Sequence, residues 1–153
     1  MTKHYAVVHS LLADVTAVTP ITIECDISNG LHSFSVIGLT DKAIDESKDR
    51  VGAAIKNTGF TSPKTQNQKV TISLAPSDLK KEGPQFDLPI ALSYLLASNQ
   101  ITFDTNEVCF LGELTLSGEL RKVRGVLPIV RAAKKLGFKT ILYHMKIKKR
   151  HHL

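Results

Sequence analysis

What this sequence lacks narrows it first. No run approaches the roughly 18–20 consecutive apolar residues of a membrane helix, so no membrane association is expected. The N-terminal Ala6-Val7-Val8 is broken by His9, with no small-residue cleavage site after it, so no secretory leader is read. The only cysteines, Cys25 and Cys109, have no C-x-x-C spacing and no partner set for zinc. Two lone cysteines without a leader point to a reducing, cytoplasmic location and to thiols in the core. Acidic residues are also missing from one end: none follows Glu119.

The catalytic signatures are missing too. There is no G-x-x-x-x-G-K-[ST] loop to cradle phosphates, no G-x-G-x-x-G after a strand, and no H-E-x-x-H. Ser77-Asp78-Leu79-Lys80 fits S-x-x-K, but the S-D-N and K-T-G elements that accompany it in penicillin-binding enzymes are absent. His144, His151 and His152 have no carboxylate or cysteine beside them, and are read as tail rather than metal ligands. No internal repeat or low-complexity segment is present.

What is present is one domain's worth of ordinary globular sequence: 153 residues, 42% hydrophobic and 22% charged. The net charge of +6 is unevenly placed. The first 120 residues carry nine Lys and Arg against 14 acids, a net −5, while residues 121–153 carry 11 Lys and Arg and no acid. A basic end of this kind suits a nucleic acid or an acidic partner surface.

Periodicity predicts the elements. Tyr5–Leu12, Ile21–Ile27 and Ser33–Ile37 alternate as strands, with a turn at Ser28-Asn29-Gly30. A helix is predicted over Asp41–Thr58, capped by Thr40 or Asp41 and ended by Gly59. Its apolar stripe runs through Ile44, Val51, Ala54 and Ile55, with Ser47 tolerated on it. Asp45, Glu46, Lys48, Asp49, Arg50 and Lys56 read as its wet sides. A strand Lys69–Leu74 then enters the least ordinary stretch of the chain, the polar loop from Ala75 to Gln85, and an apolar helix Phe86–Ala97 leaves it. Val108–Leu111 is a strand. Leu114–Leu116 and Leu120–Val123 read as a hairpin about Ser117-Gly118. Val126–Leu136 is a third helix, with Pro128 in its first turn and Val126, Leu127 and Ile129 as core residues. Lys139–Leu142 is a last strand. Residues 1–142 are thus expected to form one α+β domain with a mixed sheet and about three helices, followed by a basic irregular tail over 143–153.

A strand-to-helix junction is where α/β folds often place chemistry. Here Lys80, Lys81 and Glu82 read as surface charge, Gly83-Pro84 as a tight turn, and Asp87 as a favourable charge at the helix N-terminus. A peptidase pairing Ser73 or Ser77 with Lys80 or Lys81 is supported only by their closeness in sequence.

Several motifs occur in order: Val36-Ile37-Gly38-Leu39, Glu46-Ser47, Asp49-Arg50-Val51, Ala53-Ala54-Ile55, Leu74-Ala75-Pro76-Ser77-Asp78-Leu79, Lys81-Glu82-Gly83, Phe86-Asp87-Leu88-Pro89-Ile90-Ala91, Leu111-Gly112-Glu113-Leu114 and Arg124-Gly125-Val126-Leu127-Pro128. Together, over about residues 5–142, they resemble the N-terminal, ChlI-type domain of the ComM/YifB family of magnesium-chelatase-like AAA+ ATPases. The resemblance implies a fold like that of the Lon protease proteolytic domain, of the ribosomal-protein-S5 domain 2 type. It also implies an ATPase module after this domain, a homo-oligomeric ring and, in the ComM branch, DNA branch migration during natural transformation. The segment after Leu142 departs from the family pattern, so the chain is expected to stop short of that module. ATP and magnesium would be bound only there, and this chain is expected to hold no cofactor.

Active Lon-type domains place a serine after Gly-Pro and a lysine beyond a Gly-Glu…Gly hairpin. The corresponding positions here are Gln85, after Gly83-Pro84, and Leu127, counted from Gly112-Glu113 and Gly118. Neither can supply a nucleophile or its base. The resemblance therefore implies a non-catalytic domain for oligomer assembly or for DNA or partner contact, with Arg121, Lys122, Arg124, Arg131, Lys134 and Lys135 as candidate contact residues. The alternative is a stand-alone nucleic-acid-binding module.

Overall fold

A computed structural model describes residues 4–81 and 83–144. Glu82 and most of the expected basic tail, including His151 and His152, lie outside the described residues. The chain forms six strands and three helices in the order β1 (Tyr5–Ala13), β2 (Val18–Asn29), β3 (Ser33–Ile37), α1 (Asp41–Asn57), β4 (Gln68–Ala75), α2 (Asp87–Ala97), β5 (Val108–Phe110), α3 (Val126–Lys135) and β6 (Thr140–Leu142). Short 3-10 turns, Pro63–Thr65 and Pro84–Phe86, precede β4 and α2.

The strands make one mixed sheet in the order β3-β4-β2-β1-β5-β6. β1 and β2 are an antiparallel hairpin, and β2 is also antiparallel to β4. β3 runs parallel to β4, while β5 runs parallel to both β1 and β6. This is the expected α+β class, with a mixed sheet and three helices.

Alternation along β1 decides what lies on each side. Val8 faces the main core with Ile23, Cys25, Ile72, Val51, Ile55 and Ile90. Leu11, of opposite parity, meets Cys109 and Ala133 in a second, smaller cluster under α3. So α1 and α2 cover one face of the sheet, and α3 covers the other face at the β1-β5-β6 end. The second face of β2, β4 and β3 carries Thr22, Glu24, Asp26, Thr71, Ser73, Ser35 and Ile37, none of them fully buried. That is the polar outer face an antiparallel sheet tolerates.

Val70, Ile72 and Leu74 of β4 are wholly buried. Gly38, just after β3, sits against its end with φ +98°, and a Cβ there would lie 2.2 Å from the Leu74 carbonyl oxygen. α2 is apolar all round, as a helix between sheet and solvent-facing partners must be, and Tyr94 reaches out to the Thr61 carbonyl at 3.1 Å.

Two expectations change. The hairpin about Ser117-Gly118 is a single antiparallel bridge, Leu114 to Leu120, rather than paired strands. Its turn is held by Thr115, whose backbone and side chain both bond Glu119 and whose carbonyl accepts from Gly118. Leu127 is 61% exposed and not a core residue, whereas Val126 is buried and Ile129 packs on the second cluster. Successive residues of a helix point about 100° apart, so where Val126 faces the sheet Leu127 is turned off that narrow face.

Two measurements check this packing. Burial raises both thiols, Cys25 and Cys109, to about 12. Both are therefore expected to resist thiol reagents in the native protein and to react promptly once it is unfolded. Gly38→Ala should destabilise the fold by at least about 1 kcal/mol, read by denaturant unfolding, because both the positive φ and the Leu74 carbonyl oppose a Cβ.

Candidate functional site

The junction between β4 and α2 is the place the sequence marked for chemistry, and the structure ties its polar groups down. Asp87 opens α2 with its side chain almost wholly buried. It accepts from Arg50 through both nitrogens, Nε to Oδ2 at 2.6 Å and Nη2 to Oδ1 at 3.1 Å. Ser47 Oγ donates to Oδ1 at 3.0 Å, and the Leu114 N–H donates to Oδ2 at 3.2 Å. One carboxylate thus joins α1, α2 and the segment after β5.

Burial pushes the Asp87 carboxyl above its ordinary range. The Arg50 guanidinium, the Leu114 N–H and the Ser47 hydroxyl pull it back. The same bond holds the Arg50 guanidinium above its own usual value. Arginine stays protonated at any accessible pH, so its fork fixes the carboxylate as acceptor.

Two expectations are corrected here and a third is narrowed. Arg50 does not belong to the wet side of α1; its side chain is 22% exposed and turned onto Asp87. Asp87 stands in the first turn of α2, at the dipole end as expected, but its carboxylate accepts from none of that helix's own N–H groups. Its oxygens go to neighbouring elements instead, because a buried carboxylate gains more from a guanidinium than from a dipole end. Lys81 is not surface charge but wholly buried. Its ammonium donates to the carbonyls of Pro76 and Leu79, the latter at 2.9 Å, and its own carbonyl accepts from the Thr40 N–H at 3.3 Å. Burial lowers the Lys81 amine from its ordinary value, opposed by Asp78. Lys80 is exposed as expected.

The residues suggested for a serine–lysine pair are not brought together. Ser73 lies on the outer face of the sheet, Ser77 is exposed in the loop, and Lys81 bonds carbonyls rather than either hydroxyl. Gln85 lies in the 3-10 turn before α2, half-buried, and its carbonyl accepts from the Gly112 N–H at 2.9 Å. The Leu88 N–H returns to the Gly112 carbonyl at 3.0 Å, strapping the start of α2 to the end of β5. Leu127 lies apart from this strap, in the first turn of α3. It lines a groove of about 580 Å³ with Val123, Arg124, Val130 and Tyr143.

Of the candidate contact residues, Arg131, Lys134 and Lys135 share one face of α3 by their three- and four-residue spacing. Lys122 and Arg124 precede α3, Arg131, Lys134 and Lys135 lie along it, and all five are exposed. None of the five forms an ion pair among the described residues. Arg121 differs: its Nε lies 3.4 Å from a Glu113 carboxylate oxygen, and its N–H bonds the Glu113 carbonyl. Lys139, beside β6, is paired with Glu107 at 2.8 Å. Among the described residues no group of His, Cys, Asp and Glu could hold a metal ion, and no helix is long and apolar enough to cross a membrane.

Sequence reasoning missed the Ser47–Arg50–Asp87 network. Its traces were legible: a serine on an apolar stripe, an arginine one turn further on, and an aspartate opening a helix with no other charge.

Fold and site together define an α+β domain with a closed strand-to-helix junction and a basic outer helix. Comparison makes that class specific. The family model for the subunit ChlI of Mg-chelatase matches residues 23–146. The YifB protein of Salmonella typhimurium is 44% identical over 133 residues, which cover 86% of this chain and 26% of that protein. The competence protein ComM of Haemophilus influenzae is 41% identical over 131 residues, 85% of this chain and 25% of ComM. The DNA repair protein RadA of Bacillus subtilis is 30% identical over 135 residues, 87% of this chain and 28% of RadA. The chain belongs to the magnesium-chelatase-like ChlI family, alongside YifB and ComM, and spans about a quarter of the length of these relatives.

The buried pair yields a direct test. Asp87→Ala leaves Arg50 in a part-buried site with only the longer contact to Glu46 at 3.8 Å and should cost about 3 kcal/mol. Arg50→Ala should cost a similar amount, and the double variant less than the sum, because the two act as one unit. Lys80→Ala, on the same loop but exposed, should stay within about 0.5 kcal/mol of the parent. Urea unfolding of the four variants reads all of these values.

Proposed function

We propose that this chain is a non-catalytic contact domain of a ComM/YifB-type, magnesium-chelatase-like ATPase. It works in the cytoplasm, associates with other copies of itself, and meets DNA through its basic surface. ATP and magnesium are handled by a separate ATPase module and not by these residues.

The observation that carries the reading is the exposed, acid-free run Lys122, Arg124, Arg131, Lys134 and Lys135, whose cations have no carboxylate among the described residues. Exposed cations without carboxylate partners gain from phosphate neutralisation and counterion release. The names of two relatives, a competence protein and a DNA repair protein, agree with a nucleic-acid partner. Support for a non-catalytic role comes from the junction. Gln85 stands where a nucleophile would be needed, and the buried amine of Lys81 is bonded to two carbonyls. A stand-alone nucleic-acid-binding module would use the same surface, and differs only in needing no ATPase partner. A serine–lysine peptidase would require Ser73 or Ser77 to label with a serine-directed reagent.

Fluorescence anisotropy with labelled DNA tests the contact. Binding should weaken steeply between about 50 and 200 mM salt, each neutralised phosphate adding about 0.9 to the logarithmic slope. The triple variant Arg131→Glu, Lys134→Glu, Lys135→Glu should lose most of the affinity. Arg121→Ala should lose less, since Arg121 is already paired. Lys42→Glu, on α1, should change little. Binding indifferent to salt, or unaffected by the triple reversal, would sink the DNA reading.

A further inference from the structure

The two edges of the sheet are finished differently. At one edge β6 is three residues long, Lys139 stands at its start, and the Val123 N–H bonds the His144 carbonyl just past its end at 2.7 Å. Short strands, lysines and covering segments are the usual guards of a sheet edge. At the other edge β3 pairs with β4 along one side only. Its five residues, Ser-Phe-Ser-Val-Ile, include no lysine, proline or glycine. No main-chain hydrogen bond reaches its outer side among the described residues. Ser33, at its start, carries the one buried side-chain nitrogen or oxygen among the described residues that lacks a partner. A cleft of about 550 Å³ lies between this strand and α1, lined by Phe34, Asp45, Lys48 and Asp49 among others.

A row of free N–H and C=O groups on an edge is bonded by water or, with a matching repeat, by another extended backbone. The side chains point to which backbone. Laid antiparallel about Ser35, two copies of β3 set Phe34 opposite Val36 twice on the helix-covered side, an aromatic against a β-branched residue. The two Ser35 hydroxyls meet on the outer side. Along α1, Asp41 and Asp45 come first and Lys48 follows. A neighbouring α1 running the other way therefore brings the carboxylates of one copy towards the ammonium of the other. The rim carries both signs, Asp45 and Asp49 with Lys48 and Lys64, so a second copy related by a two-fold axis can set carboxylate against ammonium on both sides of the contact, which a strand of uniform charge cannot.

We infer that β3 is a self-pairing edge: two copies of this chain join antiparallel through Ser33–Ile37 and continue the sheet across the contact. This rests on the self-association proposed above and assigns it a surface. A two-fold contact closes at two copies, so it joins chains in pairs and leaves any ring contact to other surfaces.

The test uses the 153-residue chain. Directly opposed residues in an antiparallel pair have Cα atoms about 4.5–5.5 Å apart, within reach of a disulfide. Ser35→Cys should give a disulfide-linked dimer under mild oxidation. Ser28→Cys, also exposed but on β2, should not. The native Cys25 and Cys109 are buried and should stay silent. By sedimentation the parent should be dimeric, and Ser35→Lys, which sets two ammonium groups face to face, should weaken the dimer roughly fivefold with the far-UV spectrum unchanged. A parent that stays monomeric at every concentration overturns this surface together with the self-association. Oligomers that persist in Ser35→Lys, with no Ser35→Cys cross-link, overturn the β3 surface and leave self-association standing. A monomer that instead binds an unrelated extended peptide at β3 also overturns self-pairing.

Discussion

The carboxylate of Asp87 is the constraint on which the arrangement of this domain depends. A buried charge is tolerable only when it is paired and its lone pairs are filled. Here that requirement draws in three separate stretches of chain: Ser47 and Arg50 from α1, Asp87 from α2, and the Leu114 N–H from the segment after β5. Val51, Ala54 and Ile55 pack α1 into the main core without directional bonds. The bidentate fork is directional, since planar guanidinium and carboxylate groups meet in few geometries. The same network places Leu114, and with it Glu113, which holds Arg121 at the start of the basic run.

Seen from this pair, the strand-to-helix junction is a sealed joint. Lys81 bridges the Pro76 and Leu79 carbonyls from inside the loop, its carbonyl meets the N–H of Thr40 at the start of α1, and Gln85 and Leu88 strap α2 to Gly112. Lys81 and Asp87, the buried charges at this junction, both have structural partners. Fold and chemistry are separable.

Much of the architecture was legible in the sequence. The two-residue alternation of β1, β2, β3 and β4 and the 3.6-residue stripe of α1 reflect burial against a sheet, which any correct fold must honour. What stayed hidden was how polar residues pair. Arg50 reads as one more charge on a wet helix until Asp87, 37 positions away, is placed beside it. Lys81 looks like its exposed neighbour Lys80, because local sequence says nothing about which of two adjacent lysines points inward. Leu127 was misread for the opposite reason. Hydrophobicity marks a residue as able to be buried, but α3 offers only a narrow face to the sheet and Leu127 lies outside it. The hairpin shrank to one bridge because Ser117-Gly118 specifies a turn, and a turn does not ensure that the flanking residues keep pairing.

The placement of charge then follows from how deeply each element is rooted. α1 and α2 share the main core and the Asp87 network, while α3 rests on a cluster whose buried members are Leu11, Cys109 and Ala133. A helix on a small apolar footing leaves most of its circumference to solvent, so it can carry Arg131, Lys134 and Lys135 without disturbing the core. Like charges gathered on α1 would instead crowd a helix already holding a buried guanidinium, and would compete for Asp87. Segregating the cations onto the lightly anchored helix keeps their mutual repulsion in high-dielectric solvent, where it is weak.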